Sequence, residues 1–135
     1  MNIPPLKKNS YRIELGRKGE DLATDFFQKQ GYRILTRNFH CRYGELDLVV
    51  EKDKQIIFVE VKTRANNACG SAIEGINNLK KNKIVLTAFN WLTKYHREDE
   101  AWRIDIIAID RATDNSFEIQ HFPSAIDGED VGYFL

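Results

Sequence analysis

Two apolar segments joined by a short polar link constrain the fold more than any other feature of the sequence. The segments are ELDLVVEK (45–52) and QIIFVEVKT (55–63), and the link between them is Asp53-Lys54. A link of this length is typical of a β-hairpin. Val, Ile, Leu and Phe occupy both faces of the segments, as in strands that are covered on both sides of a sheet. The sequence therefore predicts a hairpin whose two faces are buried.

Helix-like and strand-like patterns alternate along the rest of the chain. Apolar residues recur at helical spacing from about Ser10, and Gly31 stands where a glycine commonly ends a helix, which predicts a first helix. A longer second helix is predicted from about Ala72 to Tyr95, with an apolar stripe that includes Ile76 and Leu79. Strands are predicted at 32–38, 102–110 and 117–122, with a loop at 39–44 and a turn at 111–116.

The elements follow one another as helix, three strands, helix, strand and strand. A helix between two strands implies a crossover and a parallel pair, whereas the hairpin is antiparallel, so we expect a mixed sheet. The last strand is expected at an edge of that sheet. The predicted fold class is α/β, or α+β by a stricter definition.

Size and composition bound the class of protein. The chain has 135 residues, 42% hydrophobic and 30% charged, which fits one globular domain. We expect a flexible leader (1–9), a domain (10–122) and an irregular C-terminal tail (123–135). No apolar run approaches the roughly 18 residues of a membrane span, and no signal-peptide pattern is present, so we expect a cytoplasmic protein with no membrane partner. Cys41 and Cys69 lack metal or disulfide spacing and are expected to be reduced.

The formal net charge of +0 conceals an uneven distribution of charge. Residues 1–64 hold 13 Lys and Arg against 9 Asp and Glu, and residues 65–95 hold 4 against 1. Residues 96–135 hold 3 against 10. The basic excess in the first two stretches favours a basic face, and the hairpin lies within it.

Charged residues occupy the middle of the proposed hairpin. A two-residue turn at Asp53-Lys54 makes Asp47 face Glu60 and Glu45 face Lys62, with all four on one face of the sheet. Opposed carboxylates repel each other, and their burial is costly without a compensating charge. Lys62 offsets part of this repulsion, and a divalent cation would remove the rest. Carboxylate oxygens suit Mg²⁺ or Mn²⁺, which keep several waters and act on phosphates.

A solvated face with cross-strand salt bridges is the ordinary alternative for alternating charges on a hairpin. The apolar neighbours Val49, Ile56 and Phe58 argue against it here, because they indicate burial on both faces. Buried ionisable groups are candidates for function. The Glu-x-Lys spacing alone carries little information, and the acid placed opposite makes the constellation more specific.

Five segments of the sequence are informative when taken together. They are GRKGEDLA (16–23), GYRIL (31–35) with Asn38, GELDLV (44–49), FVEVKTR (58–64) and RIDIIAI (103–109). Together these motifs resemble the small bacterial YraN family, and the resemblance covers about residues 12–126.

That family is regarded as having the restriction-endonuclease-like fold, similar to archaeal Holliday junction resolvases, with a PD-(D/E)xK-type site. The resemblance implies an α-β-β-β-α-β core and a metal-dependent nuclease acting on DNA, with branched or structured DNA as candidate substrates.

The resemblance also implies roles for individual residues. Asp47 takes the place of the motif aspartate, and Glu60 and Lys62 take the E-x-K positions. Glu20 matches a glutamate that such nucleases often bring to the metal from the first helix. We therefore expect Mg²⁺ or Mn²⁺ to be held by Asp47, Glu60, the backbone carbonyl of Val61 and Glu20.

A bound metal activates water for phosphodiester hydrolysis. Lys62, the lysine of the E-x-K positions, is then expected to orient that water or the phosphate. Glu45 is expected to pair with Lys62 or with a nearby arginine. Phosphate contacts are expected from five cations, each of which is also an ordinary surface residue when taken singly. They are Arg42, Arg64, Lys80, Lys81 and Lys83.

Other polar residues receive weaker interpretations. Arg103 and Asp105 alternate onto one face of the fourth strand, where a structural ion pair competes with a role at the site. The three histidines, His40, His96 and His121, lack ligand spacing, and we assign them no chemistry. A homodimer is expected only by analogy with resolvases. Two alternatives to the nuclease remain, namely a nucleic-acid-binding module without turnover and a structural or partner-binding protein.

Overall fold

The computed structural model describes residues 8–65 and 75–127, which form a five-stranded sheet with one helix on each face. Among these residues, no helix is long and apolar enough to cross a membrane. The elements are α1 (Lys8–Lys29), β1 (Arg33–Cys41), β2 (Gly44–Lys52), β3 (Gln55–Ala65), α2 (Asn78–Lys94), β4 (Ala101–Arg111) and β5 (Phe117–Ile126).

The strands lie in the order β1-β2-β3-β4-β5 across the sheet. β3 and β4 run parallel and are linked through α2, whereas the other neighbouring pairs are antiparallel. The predicted mixed sheet, with the last strand at an edge, is confirmed. The element order is α-β-β-β-α-β followed by the edge strand β5, as the sequence predicts, and the fold class is α+β.

Each face of the sheet carries its own apolar cluster. On the α2 face, Phe58 and Trp91 meet edge to face, with ring centroids 5.5 Å apart. On the α1 face, Ala23 and Phe27 of the helix pack against Ile57 and neighbouring strand residues. Because both faces are covered, the central strands are apolar along their whole middle section, as the sequence indicates.

The predicted hairpin is confirmed in its turn and its register. Asp53 and Lys54 both have left-handed backbone angles, with φ of 51° and 63°, as a type I′ turn requires. Pairing runs from Lys52 opposite Gln55 to Leu48 opposite Val59. This register points Asp47 toward Glu60 at the next step along the strands.

Both ends of the first helix–strand unit differ from their prediction. α1 begins at Lys8 rather than Ser10, so the last two residues of the predicted leader are helical, and residues 1–7 lie outside the described residues. β1 continues to Cys41 rather than ending at Asn38, because 39–41 keep antiparallel pairing with β2. The predicted end of the helix is correct, since Gly31 has φ of 88° and its N–H donates to Gln28.

The predicted starts and ends of α2 and β5 also need correction. α2 begins at Asn78, with Asn77 as its N-cap, so Ile76 is buried ahead of the helix and Leu79 is 65% exposed. The predicted start at Ala72 lies outside the described residues. β5 continues through Pro123 to Ile126, because an edge strand tolerates a residue without an N–H.

Gly19 allows α1 to approach the sheet closely. A Cβ at this position would lie 1.9 Å from Cγ2 of Thr63 on β3 and 3.3 Å from its Cβ. Rotation of the Thr63 side chain would therefore relieve only part of the clash. The close approach matters for the site, because Glu20 is the next residue on the helix.

We expect Gly19→Ala to destabilise the protein by about 1–3 kcal/mol, since the added methyl group pushes α1 away from β3. Gly16→Ala is the matched control on the same helix. A Cβ at Gly16 meets nothing within 4 Å, so this change should stabilise the helix by roughly 0.5–1 kcal/mol. Urea denaturation of both variants measures the two effects. Equal and favourable effects would show that the helix does not need the glycine to pack.

Candidate active site

Asp47 and Glu60 meet where β2 and β3 separate, at the end of the hairpin opposite the turn. The backbone ladder ends with the pair Leu48 and Val59. At the next step the N–H of Val61 donates to Oδ2 of Asp47 at 2.7 Å. A carboxylate thus accepts an amide hydrogen of the neighbouring strand.

The regular alternation of side chains between the two faces of the sheet is broken in β2 at Asp47. Leu46 and Val49 belong to the cluster on the α2 face, whereas Leu48 and Val50 belong to the cluster on the α1 face. Regular alternation would place Leu46 and Leu48 on the same face. The simple alternation used to place the four charged residues on one face is therefore wrong at this point, and Asp47 lies where groups from both faces reach it.

Burial dominates the electrostatics of the acidic pair. Burial, together with the charge of Glu60, raises the pKa of Asp47 to about 7. Burial also raises the pKa of Glu60, although the ammonium of Lys80 opposes this rise. A side-chain hydrogen bond with Asp47 also lowers the pKa of Glu60 and so opposes the effect of burial.

Lys80 supplies the positive charge beside Glu60. Its Nζ lies 3.2 Å from Oε1 of Glu60, whose side chain is only 11% exposed. The sequence assigns part of the compensation to Lys62 and places Lys80 among the expected phosphate contacts. In the structure Lys80 contacts Glu60 directly, and Lys62 acts on Glu60 only as a further nearby charge. The phosphate contact of Lys80 stays a prediction.

Glu20 approaches the pair from α1. Burial raises the pKa of its carboxyl group and the charge of Asp47 raises it further, while a hydrogen bond from Asn38 lowers it. Asn38 has a left-handed φ of 53° on β1. It is a site residue to which sequence reasoning gives no role, and the available signal is an asparagine inside a strand pattern, since asparagine tolerates this conformation.

A cavity of about 390 Å³ opens at the acidic pair. Of the cations predicted to contact phosphate, Lys80 and Lys83 line this cavity. Arg42 lies in the β1–β2 turn, with its guanidinium stacked on Tyr43. Lys81 is half-buried on α2. The cavity is lined by Gly44, Glu45, Asp47, Glu60, Asn77, Leu79, Lys80, Lys83 and Ile84.

Arg64 occupies a structural position rather than the predicted phosphate-binding one. Its guanidinium contacts Asp110 through two hydrogen bonds of 2.7 and 3.0 Å. The two side chains are only 14% and 10% exposed. The parallel register places these residues side by side on β3 and β4, so the ion pair joins the two strands.

Glu45 lines the cavity, and among the described residues its ion-pair partner is His40 rather than the predicted Lys62 or an arginine. Its carboxylate lies 3.5 Å from Nδ1 of His40, on the neighbouring strand, and both side chains are largely exposed. Its charge still reaches Asp47, whose pKa it raises. Glu45 thus adds negative charge to the cavity from the rim.

A second polar cluster lies on β4 and β5. Asp105 is fully buried and accepts hydrogen bonds from Arg103, the ring of His121 and the N–H of Ser124. Burial alone would raise the pKa of Asp105, but these hydrogen bonds lower it. Of the two interpretations of Arg103 and Asp105, the structural ion pair is the one observed. His121, to which the sequence assigns no chemistry, holds the edge strand β5 against β4 through its hydrogen bond with Asp105.

The donors at the acidic pair fit a hard divalent cation. Mg²⁺ is commonly held by one or two carboxylates and completes its shell with water. Asp47, Glu60 and the nearby Val61 carbonyl are such donors. Within residues 8–65 and 75–127, no group of three or more His, Cys, Asp or Glu side chains is assembled closely enough to hold a metal as it stands. Lys80 lies against Glu60 instead.

Comparisons with known proteins identify the family. The family described as "Uncharacterised protein family UPF0102" matches residues 19–109. The chain belongs to this family, which is the one the sequence resemblance named YraN. A UPF0102 protein of Syntrophomonas wolfei is 43% identical over 83% of this chain and 96% of its own length. Another, of Pelobacter propionicus, is 39% identical over 83% of this chain and 81% of its own length.

A solved structure of SfsA from Pyrococcus furiosus in complex with Ca²⁺ is similar to this UPF0102 protein at a TM-score of 0.39. The sequence identity is 11%, over 87% of this chain. The UPF0102 chain spans 65% of the SfsA chain.

We expect Asp47→Asn to stabilise the metal-free protein at pH 8 by roughly 1–3 kcal/mol. Folding raises the pKa of Asp47 from 3.8 to about 7, so the folded state binds a proton that the unfolded state has lost within this window. Wild-type stability from this group therefore falls as the pH rises toward 7. Asparagine has no such proton, so the advantage of the variant should be larger at pH 8 than at pH 5.

Urea denaturation in EDTA at both pH values measures this difference. Asp21→Asn is the matched control, because Asp21 is 66% exposed and pairs with Arg37 on the surface. Its effect should stay within about 0.5 kcal/mol at both pH values. An Asp47→Asn variant whose relative stability does not change with pH would contradict the buried-pair geometry.

Proposed function

We propose that this UPF0102 protein is a Mg²⁺- or Mn²⁺-dependent endonuclease that hydrolyses phosphodiester bonds of DNA in the cytoplasm. The observation that carries the proposal is the close pair of half-buried Asp47 and buried Glu60 in a cavity that Lys80 and Lys83 also line. Purely structural acids are paired so that their charge is stabilised, whereas burial raises the pKa of both acids here and the charge of Glu60 raises that of Asp47 further. Such perturbed acids in a cleft are typical of catalytic sites.

In this proposal Asp47, Glu60 and the Val61 carbonyl hold the cation, and Glu20 joins them directly or through a water. The bound cation supplies an activated water and stabilises negative charge that develops on the phosphate. Lys62 follows Val61 on the same strand and orients the water or the phosphate. The position of Lys62 beside carboxylates suits an electrostatic role better than that of a general base. Asn38 holds the Glu20 carboxylate through its hydrogen bond.

Lys83 and Arg42 would contact the phosphate backbone on either side of the cut. Lys83 lines the cavity, and Arg42 lies in the turn that follows β1. Backbone contacts of this kind position a substrate without reading its sequence. The site therefore suggests selection by the shape of the DNA, with branched or structured DNA as the favoured class. A homodimer that cuts two strands remains part of the proposal by analogy, and sedimentation velocity at micromolar concentration tests it.

A cleavage assay with labelled junction, single-stranded and duplex DNA tests the activity. We expect cleavage with Mn²⁺ or Mg²⁺ and none with EDTA. Asp47→Asn and Glu60→Gln should each reduce the rate at least about 100-fold, because each removes a ligand of the metal on which the stabilisation of the transition state depends. Asp21→Asn, whose side chain is exposed on α1, should cleave like the wild type.

The outcomes of this assay separate the candidate functions. Cleavage that persists unchanged in Asp47→Asn would show that the site is wrong. DNA binding without cleavage under any metal condition would favour a nucleic-acid-binding module. Calorimetry that shows neither metal nor nucleic-acid binding would favour a structural protein.

A further inference from the structure

Lys80 makes the contact to Glu60 that a divalent cation would need. We propose that metal binding displaces Lys80 from Glu60 and that the released ammonium then binds a phosphate of the DNA. The inference rests on the proposed metal-dependent nuclease and adds a coupling between metal and substrate. Lys80 would thereby hold the site closed to metal in the free protein and help to bind DNA once metal is present.

The position of Lys80 allows such a movement. Its backbone N–H donates to Oδ1 of the N-cap Asn77 at 2.9 Å, so the first turn of α2 is fixed. Its side chain is 49% exposed, and its Nζ reaches the nearly buried Glu60 from the solvent side. A lysine side chain has a flexible four-carbon stem. The ammonium can therefore swing toward solvent while the helix stays in place.

Electrostatics favours the exchange if the cation binds Glu60. An ammonium and a divalent cation on one carboxylate repel each other, and a cation at Oε1 would take the oxygen that Lys80 contacts. The displaced ammonium stays at the mouth of a cavity whose acids are then neutralised by the metal. A DNA phosphate is the anion that would approach this mouth. Metal and DNA should therefore strengthen each other's binding by the same factor.

Lys83 provides a matched control. It lies about one turn further along α2 and lines the same cavity, whereas the ion pair to Glu60 observed in the described residues comes from Lys80. Replacing Lys83 removes the same charge from the same cavity without breaking that ion pair. A general effect of charge would appear in both variants, but an exchange would appear only at Lys80.

The experiment measures Mn²⁺ affinity by calorimetry without DNA in the wild type, Lys80→Gln and Lys83→Gln. DNA affinity is measured by fluorescence anisotropy in EDTA and again in Ca²⁺, which replaces Mn²⁺ to limit turnover. We expect Lys80→Gln to bind Mn²⁺ about 5- to 10-fold tighter than the wild type and to lose about 5- to 10-fold in DNA affinity in Ca²⁺ but not in EDTA. Lys83→Gln should change Mn²⁺ affinity less than about twofold and lose DNA affinity equally in both buffers.

Two failures are distinguishable. A wild type that binds Mn²⁺ while Lys80→Gln binds it no tighter, or loses DNA affinity equally in EDTA and Ca²⁺, overturns the exchange and leaves the metal site intact. Unchanged DNA affinity of Lys80→Gln in Ca²⁺ also overturns it. A wild type that binds no Mn²⁺, or binds it as well after Asp47→Asn, overturns the proposed function together with the exchange. Thermal denaturation of each variant confirms that it is folded.

Discussion

The repulsion between the carboxyl groups of half-buried Asp47 and buried Glu60 is the constraint on which the rest of the site depends. Two carboxylates held close together with little solvent around them are destabilised unless a proton, a donor or a cation compensates their charge. The Val61 N–H and the Lys80 ammonium supply part of the compensation. The negative charge that they leave uncompensated is the charge that the proposed cation would neutralise.

The fold holds the acids in this unfavourable position because it stabilises the strands elsewhere. The apolar clusters on both faces of the sheet bury the middle of β2 and β3 on both sides. The close approach of Gly19 to Thr63 brings α1 near enough to the sheet for the charge of Asp47 to raise the pKa of Glu20. The site thus lies on strands and helices whose packing does not depend on the site itself, as precise positioning requires.

The features that can be predicted correctly from the sequence are those set by local chemistry. The turn at Asp53-Lys54 and the period of two determine the hairpin register, and the pairing of Asp47 with Glu60 follows from that register. Element ends are harder to predict. The predicted α2 stripe extends back to Ile76 because a buried residue before an N-cap has the same spacing as a helical one. The predicted β1 is too short because Phe39, His40 and Cys41 do not form a strand-like pattern.

Contacts between distant segments account for the other errors. Glu60 contacts Lys80 rather than Lys62 because of the position of α2 on the sheet. That position is set by the connection between β3 and β4, and no local sequence pattern predicts it. The pairing of Arg64 with Asp110 likewise depends on the parallel register of β3 and β4. The facing change at Asp47 has no sequence signal beyond Asn38, whose left-handed backbone angle marks an irregularity in β1.

The acids whose pKa folding shifts clearly fall into two groups by the direction of that shift. Asp105, in its cluster on β4 and β5, and Glu51, which is bonded to Arg97 and Arg33, have lowered pKa values because donors surround them. Glu20, Asp47 and Glu60 have raised values, and all three gather at one end of the hairpin. Structural acids are stabilised in their charged form. Acids kept poorly compensated together cost stability, and selection tolerates that cost where the charge has a use.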